Sequence, residues 1–272
     1  MEFGVFARTW ARNSPFEVAQ LARAAGFTTL QWNFAAIGRS TLDANREPAE
    51  LGRVLEECSL AGVDVWGLSA TYNILFPGEH EAMAVEAIRA AGEVGVRYVT
   101  VCTGTNDPEN MWRFHPDNER AVSWARMRRG LDPLLQAAND ANVVIGIEPE
   151  RANIVADAPS ARRLLNELGH DAPVGIVLDP ANLLTIETLQ SQDEILAAAF
   201  ADLGRSIVCV HAKDVVPSGY AAAGVGGLDY GWIAKLHREF TPTAPIISQD
   251  SSEADAGRVF QFLESAFSLE SV

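Results

Sequence analysis

The chain has 272 residues, of which 48% are hydrophobic and 21% charged, enough apolar material for one large globular domain or two small ones. Its net charge of −15 excludes nucleic acid as a partner unless a local basic patch exists, and Arg126, Arg128 and Arg129 read only as one solvated helix segment. No apolar run approaches membrane-spanning length, and the start MEFGVFARTW lacks a basic region followed by a long apolar core, so a cytoplasmic protein without a membrane partner is expected.

Short apolar runs alternate with longer amphipathic segments along the whole chain. Predicted strands cover 2–7, 28–32, 63–68, 97–102, 143–148, 174–179, 206–211 and 244–248. Predicted helices cover about 15–25, 47–61, 79–94, 118–141, 158–168, 192–203, 229–239 and 252–267. Ser14 followed by Pro15 reads as a helix N-cap and first helical residue. Ser252 and Asp255 have capping-box spacing, with Asp where Glu is usual. Gly26, Gly62 and Gly95 close helices ahead of strands. The strands are apolar on nearly every residue, as when both faces are covered. Eight βα units in about 250 residues predict a single (β/α)8 TIM barrel over 1–272, in preference to a doubly wound sheet. The three cysteines, Cys58, Cys102 and Cys209, have no CxxC spacing and read as buried free thiols.

Function concentrates at the ends of the later strands. IVLDPAN (176–182) drives three apolar residues into Asp179 and stops at proline. GIEPE (146–150) ends on Glu148, VHAKD (210–214) brings His211, Lys213 and Asp214, and PIISQD (245–250) ends on Gln249 and Asp250. A carboxylate at the end of a buried strand is costly unless something pairs with it. In a barrel, strand C-termini converge on one mouth.

These strand ends, with GVGGLDY (224–230), TYN (71–73), CTGTNDPENMW (102–112) and HPDN (115–118), resemble the xylose-isomerase-like TIM-barrel superfamily, and within it the sugar phosphate isomerase/epimerase proteins. The resemblance implies that Glu148, Asp179 and His211 hold one divalent metal. A polar residue on the eighth strand completes the set, and Gln249 stands where related epimerases usually carry Glu. Oxygen donors with one imidazole suit Mn²⁺, Mg²⁺ or Co²⁺, and Zn²⁺ also fits. The substrate implied is a small sugar, sugar phosphate or polyol; a homo-oligomer remains open.

Gln249 bears on mechanism. Inverting a carbon beside a carbonyl generally needs two proton-transfer groups. Related epimerases use two metal-bound glutamates, and here only Glu148 remains. One-base aldose–ketose isomerisation therefore ranks first, with epimerisation or an inosose-type dehydration next. Glu150, Lys213, Asp214, His115 and Asp250 are candidates for a second acid.

Each residue also has a plainer reading. His211 alone is a hydrogen-bonded core histidine; beside Glu148 and Asp179 it reads as a ligand. Lys213 is either a catalytic acid or the partner of a local ion pair. Asn182 sits where some relatives place a substrate-binding His, and is equally a helix cap. Glu150 and Asn153 contact the site or are loop residues; Asn73, in the TYN segment of the resemblance, and His115 are placed with Glu150 and Asn182 among the implied substrate contacts. Trp32 and Trp66 read as packing, whereas Trp112, in the long loop 103–117 with His115, is the better sugar-face candidate. Gly224, Gly226 and Gly227 either offer amides to an anionic substrate or form a flexible loop. Two other classes compete: a non-catalytic sugar-binding barrel, favoured by the missing glutamate, and a nuclease of the endonuclease IV type. The nuclease needs a His-rich multi-zinc site and a basic face, against five histidines and a charge of −15.

Overall fold

The computed structural model describes residues 1–268. Parallel strands β1 (Phe3–Phe6), β2 (Thr29–Trp32), β3 (Asp64–Ser69), β4 (Tyr98–Val101), β5 (Val144–Ile147), β6 (Val174–Leu178) and β7 (Ile207–Val216) pair in chain order. A short strand β8 (Gly219–Ala222) follows, and β9 (Ile246–Ser248) then pairs with both β7 and β1. The ring is therefore closed by eight parallel strands, with β8 outside it. Closure leaves no open edge, which accounts for strands that are apolar on both faces. Val5, Leu30, Ile145, Ile176 and Ile246 are all fully buried.

The outer layer consists of α1 (Pro15–Ala25), the short α2 (Thr41–Asn45), α3 (Pro48–Leu60), α4 (His80–Val94), α5 (Ala121–Ala141), α6 (Ala158–Leu168), α7 (Gln192–Leu203), α8 (Tyr230–Phe240) and α9 (Ala256–Ser268). Helix starts follow their side chains. The Ser14 hydroxyl accepts from the Glu17 amide at 3.2 Å, and Asp229 caps α8 by accepting from Trp232 N at 2.9 Å. Gly26 ends α1 at φ 109°, where a Cβ would lie 2.4 Å from the Phe260 ring, so both conformation and space require glycine.

Three expectations change. The helix expected from residue 118 begins at Ala121, because Pro116–Glu119 form a separate 3-10 turn. Ser252 accepts from the Asp255 amide at 3.2 Å, but this closes a turn ahead of α9, which starts at Ala256. The seventh strand runs five residues beyond its predicted end, because Lys213–Val216 pair antiparallel with Gly219–Ala222. β7 thus carries His211, paired within the ring, and Lys213, at the start of the hairpin, on one face, two residues apart. The three cysteines are free and buried, and no helix among the described residues is long and apolar enough to cross a membrane.

Candidate metal centre and substrate cavity

Glu148 follows β5, Asp179 follows β6, and His211 lies in β7. One potential ligand atom from each lies within 4.8 Å of the other two. Proline follows both carboxylates and ends the strand there, which keeps each acid at the mouth rather than in the sheet.

Asp179 and His211 are each 1% exposed. Asp179 Oδ1 accepts from Ala181 N at 2.9 Å, starting the 3-10 turn Pro180–Leu183. Its Oδ2 lies 3.1 Å from Lys213 Nζ, an ion-pair distance but off the angle of a hydrogen bond. His211 Nδ1 lies 3.3 Å from Glu148 Oε1 and also has no hydrogen-bond partner. Its other nitrogen, Nε2, is 2.7 Å from Gln31 Oε1. Two buried ligand atoms without hydrogen-bond partners, aimed at a third, are the donor set a divalent cation needs, and the chemistry of carboxylate and imidazole fits one.

On its Glu148 side this cluster opens on a cavity of about 480 Å³ at the barrel mouth, ample for a monosaccharide-sized ligand. Glu148, Glu150, Lys213, Gln249 and Asp250 line it, with Trp112 at the rim. Gln31, Ser69 and Thr100 form part of its polar floor. Burial alone would lower the Lys213 ammonium, but Asp179, then Glu148, Glu150 and Asp250, outweigh it and raise it above its ordinary value. Burial pushes the Glu150 carboxyl up to about 7. Burial also pushes the Cys102 thiol up to about 12, so its presence on the cavity wall adds no thiolate.

Other sequence candidates occupy different places. Asn182 is fully buried and donates to Glu148 Oε1 at 2.9 Å and to the Pro149 carbonyl at 3.2 Å. It holds a candidate ligand from behind and is not on the cavity wall. Asn73 spends its amide on the backbone of loop 103–117: it donates to the Thr105 and Asp107 carbonyls and accepts from Leu75 N and Thr105 N. His115 caps the 3-10 turn, its Nδ1 accepting from Asp117 N at 3.1 Å, and lies off the cavity wall. Asn153 accepts from Gly104 N at 2.9 Å and so pins the same loop.

Asp214 is buried on the opposite side of β7 from Lys213. It accepts from Val215 N and Leu228 N, each at 3.0 Å, and from Gly224 N at 3.1 Å. The Gly227 amide goes to the Val215 carbonyl at 3.2 Å. The Gly224 and Gly227 amides are thus committed within the fold rather than held out for an anion. Gln31 was missed in the sequence. Its signal was a glutamine inside the buried strand TLQW.

Residues 19–248 match the family described as xylose isomerase-like TIM barrel. No curated protein matches the chain in sequence. Among solved structures, a D-psicose 3-epimerase from Clostridium cellulolyticum H10, crystallised with D-tagatose, superposes with a TM-score of 0.75 at 12% identity, covering 99% of this chain and 100% of that one. The E. coli 3-keto-D-glucoside 4-epimerase YcjR gives 0.75 at 17% identity, over 97% and 99% of the two chains. An L-ribulose 3-epimerase gives 0.74 at 16% identity, over 98% and 95%. At these identities the likeness establishes the fold.

Proposed function

The chain belongs to the xylose isomerase-like TIM-barrel family, and from that premise we propose that it is a divalent-metal-dependent isomerase of a sugar or polyol, of the aldose–ketose type. The convergence of Glu148, Asp179 and His211 from three neighbouring strands carries the reading. A divalent ion held by these three, with Gln249 as fourth ligand or substrate contact, would polarise a sugar carbonyl and its vicinal hydroxyl and acidify the C–H of the hydroxyl-bearing carbon beside the carbonyl. Glu148, oriented by Asn182, takes the proton from that carbon and returns it on the same face to the neighbouring carbonyl carbon, while the hydroxyl proton passes to the former carbonyl oxygen. Lys213, an ammonium inside the cavity, neutralises negative charge that develops on substrate oxygen. Trp112 offers an exposed aromatic face at the rim for the apolar side of the sugar.

A specific observation supports a second reading, epimerisation. Glu150 lines the same cavity, and burial brings its carboxyl to about 7, the range in which one group can both give and take a proton. It could supply the second acid that Gln249 does not.

Metal content of the purified protein tests the site, with Glu148→Gln and Asp179→Asn as controls. Turnover of ketoses, aldoses and inososes in deuterated solvent, with the bound metal, then separates the reactions. Aldose–ketose interconversion, retained in Glu150→Gln, supports isomerisation by one base. Inversion at carbon that Glu150→Gln abolishes supports the second reading. Wild-type protein that takes up none of Mn²⁺, Co²⁺ or Zn²⁺ would overturn both and leave a sugar-binding barrel.

A further inference from the structure

We infer that Gln31 is a positioning residue: it locks neutral His211 as the Nε2–H tautomer and leaves the Nδ1 lone pair facing Glu148. The inference rests on the metal-site reading above and says how the fold enforces it.

The argument starts from a group whose role is fixed. The Leu68 carbonyl of β3 can only accept. The Thr100 hydroxyl of β4 makes a long contact to it at 3.4 Å, which directs the hydroxyl proton there. The Thr100 lone pairs are thereby left to accept, and Gln31 Nε2 lies 3.2 Å away. Ser69 Oγ accepts the other amide hydrogen at 3.3 Å. Both hydrogens of the Gln31 amide are spent on these hydroxyls, so its oxygen is the end that meets His211 Nε2 at 2.7 Å. An amide oxygen cannot donate, hence Nε2 carries the imidazole proton. A neutral imidazole has one N–H, so Nδ1 is bare.

The polarity of this relay matters because of what Nδ1 faces. Glu148 Oε1 is 3.3 Å away and is held from the other side by Asn182. A bare nitrogen opposite a carboxylate oxygen, in a buried site, is a repulsive pair that a cation between them converts into two ligands. Were the amide turned over, Gln31 would donate to Nε2, and Nδ1–H would make an ordinary hydrogen bond to Glu148. That arrangement needs no cation. Gln31, Ser69 and Thr100 are at most 5% exposed, so most of the surface of each is held against protein. The hydrogen bond on the second nitrogen of a ligating histidine sets which nitrogen binds, and here it is set by a relay crossing β3, β4, β2 and β7.

The test begins with the full-length protein stripped of metal, at a pH well above the imidazole range. Imidazole nitrogen NMR of His211 reads the tautomer without activity. Wild type and Gln31→Glu, which keeps an acceptor, should give the Nε2–H signature, and Gln31→Met should lose it. Calorimetric titration with Mn²⁺ should show affinity falling about 10–100-fold in Gln31→Met and not falling in Gln31→Glu. If Gln31→Met does not fold, Thr100→Val frees the amide to turn and should shift the same tautomer signal. An Nδ1–H tautomer in wild type overturns the inference, as does an unchanged tautomer and Mn²⁺ affinity in Gln31→Met or Thr100→Val. A wild-type protein with the Nε2–H tautomer that binds no Mn²⁺ overturns instead the metal reading on which it rests, while loss of that tautomer in Gln31→Met still supports the role of Gln31.

Discussion

Lys213→Met separates the metal centre from an ordinary buried ion pair. Asp179 Oδ1 is taken by the Ala181 amide, so Oδ2 is the oxygen available to any cation, and Lys213 Nζ stands 3.1 Å from it. The two side chains are 0% and 6% exposed. At an effective dielectric near 20 their attraction is about 5 kcal/mol, and removing one partner of such a pair typically costs about 3–5 kcal/mol because the other charge is stranded. For a chain of this size that is a fall of roughly 6–20 °C in Tm. The deficit should appear in full in chelator-treated protein and shrink when Mn²⁺ is added. Lys213 and the ion compete for Oδ2, so the variant gains more from the ion than wild type does, and that coupling is reciprocal. Denaturant unfolding of wild type, Lys213→Met, Asp179→Asn and the double variant, each with and without Mn²⁺, makes the measurement. A metal-free deficit in Lys213→Met below about 1 kcal/mol, the scale of an exposed pair, would refute the reasoning. Strict additivity in the double variant would do the same.

Asn182→Ala removes a hydrogen bond to a carboxylate that is worth about 1.5–3 kcal/mol, and metal affinity should fall about 10–100-fold; calorimetric titration checks this. His237 is fully buried, donating through Nε2 to the Ala244 carbonyl at 2.8 Å, and burial, aided by Arg238, lowers its pKa from the ordinary 6.5. The unfolded chain therefore takes up the proton first, so stability should be lost as pH falls below 6.5, and His237→Phe should flatten that part of a denaturation series. Gln249→Glu adds a carboxylate to the cavity and should tighten metal binding roughly tenfold, the scale on which ligand charge tunes such sites. If that carboxylate also serves as a second proton-transfer group, the variant gains inversion at carbon, read as solvent deuterium in an epimeric product.

The barrel was legible because its signals are local and repeated. Apolar runs of strand length, each followed by a helical period and a cap, recur through the chain, and closure follows from their number. The triad was legible for a related reason: a carboxylate before proline at the end of an apolar strand has few other uses. What the sequence could not convey is which polar groups are already taken. Asn73 and His115 read as substrate contacts, yet each is spent on backbone amides or carbonyls of loop 103–117. Asn182 has a role at the site, but behind Glu148 rather than in front of it. Gln31 carries no motif at all. Its importance appears only when β2, β3, β4 and β7 bring four polar side chains into one chain of hydrogen bonds.

Charge explains why amides recur around this site. The carboxylates of Glu148, Asp179, Glu150 and Asp250 act on the ammonium of Lys213, and the exposed Arg8 also borders the cavity. Fully ionised, that leaves two negative charges in excess, the charge of one divalent ion. Gln31, Asn182 and Gln249 surround these groups with neutral amides that leave this balance unchanged. A glutamate at 249 would tip it by one charge, met either by a proton or by a tighter hold on the ion. A carboxylate at position 249 would thus act on proton inventory and ion affinity together, and the two effects separate experimentally: affinity is read in the absence of sugar, and stereochemical outcome only during turnover.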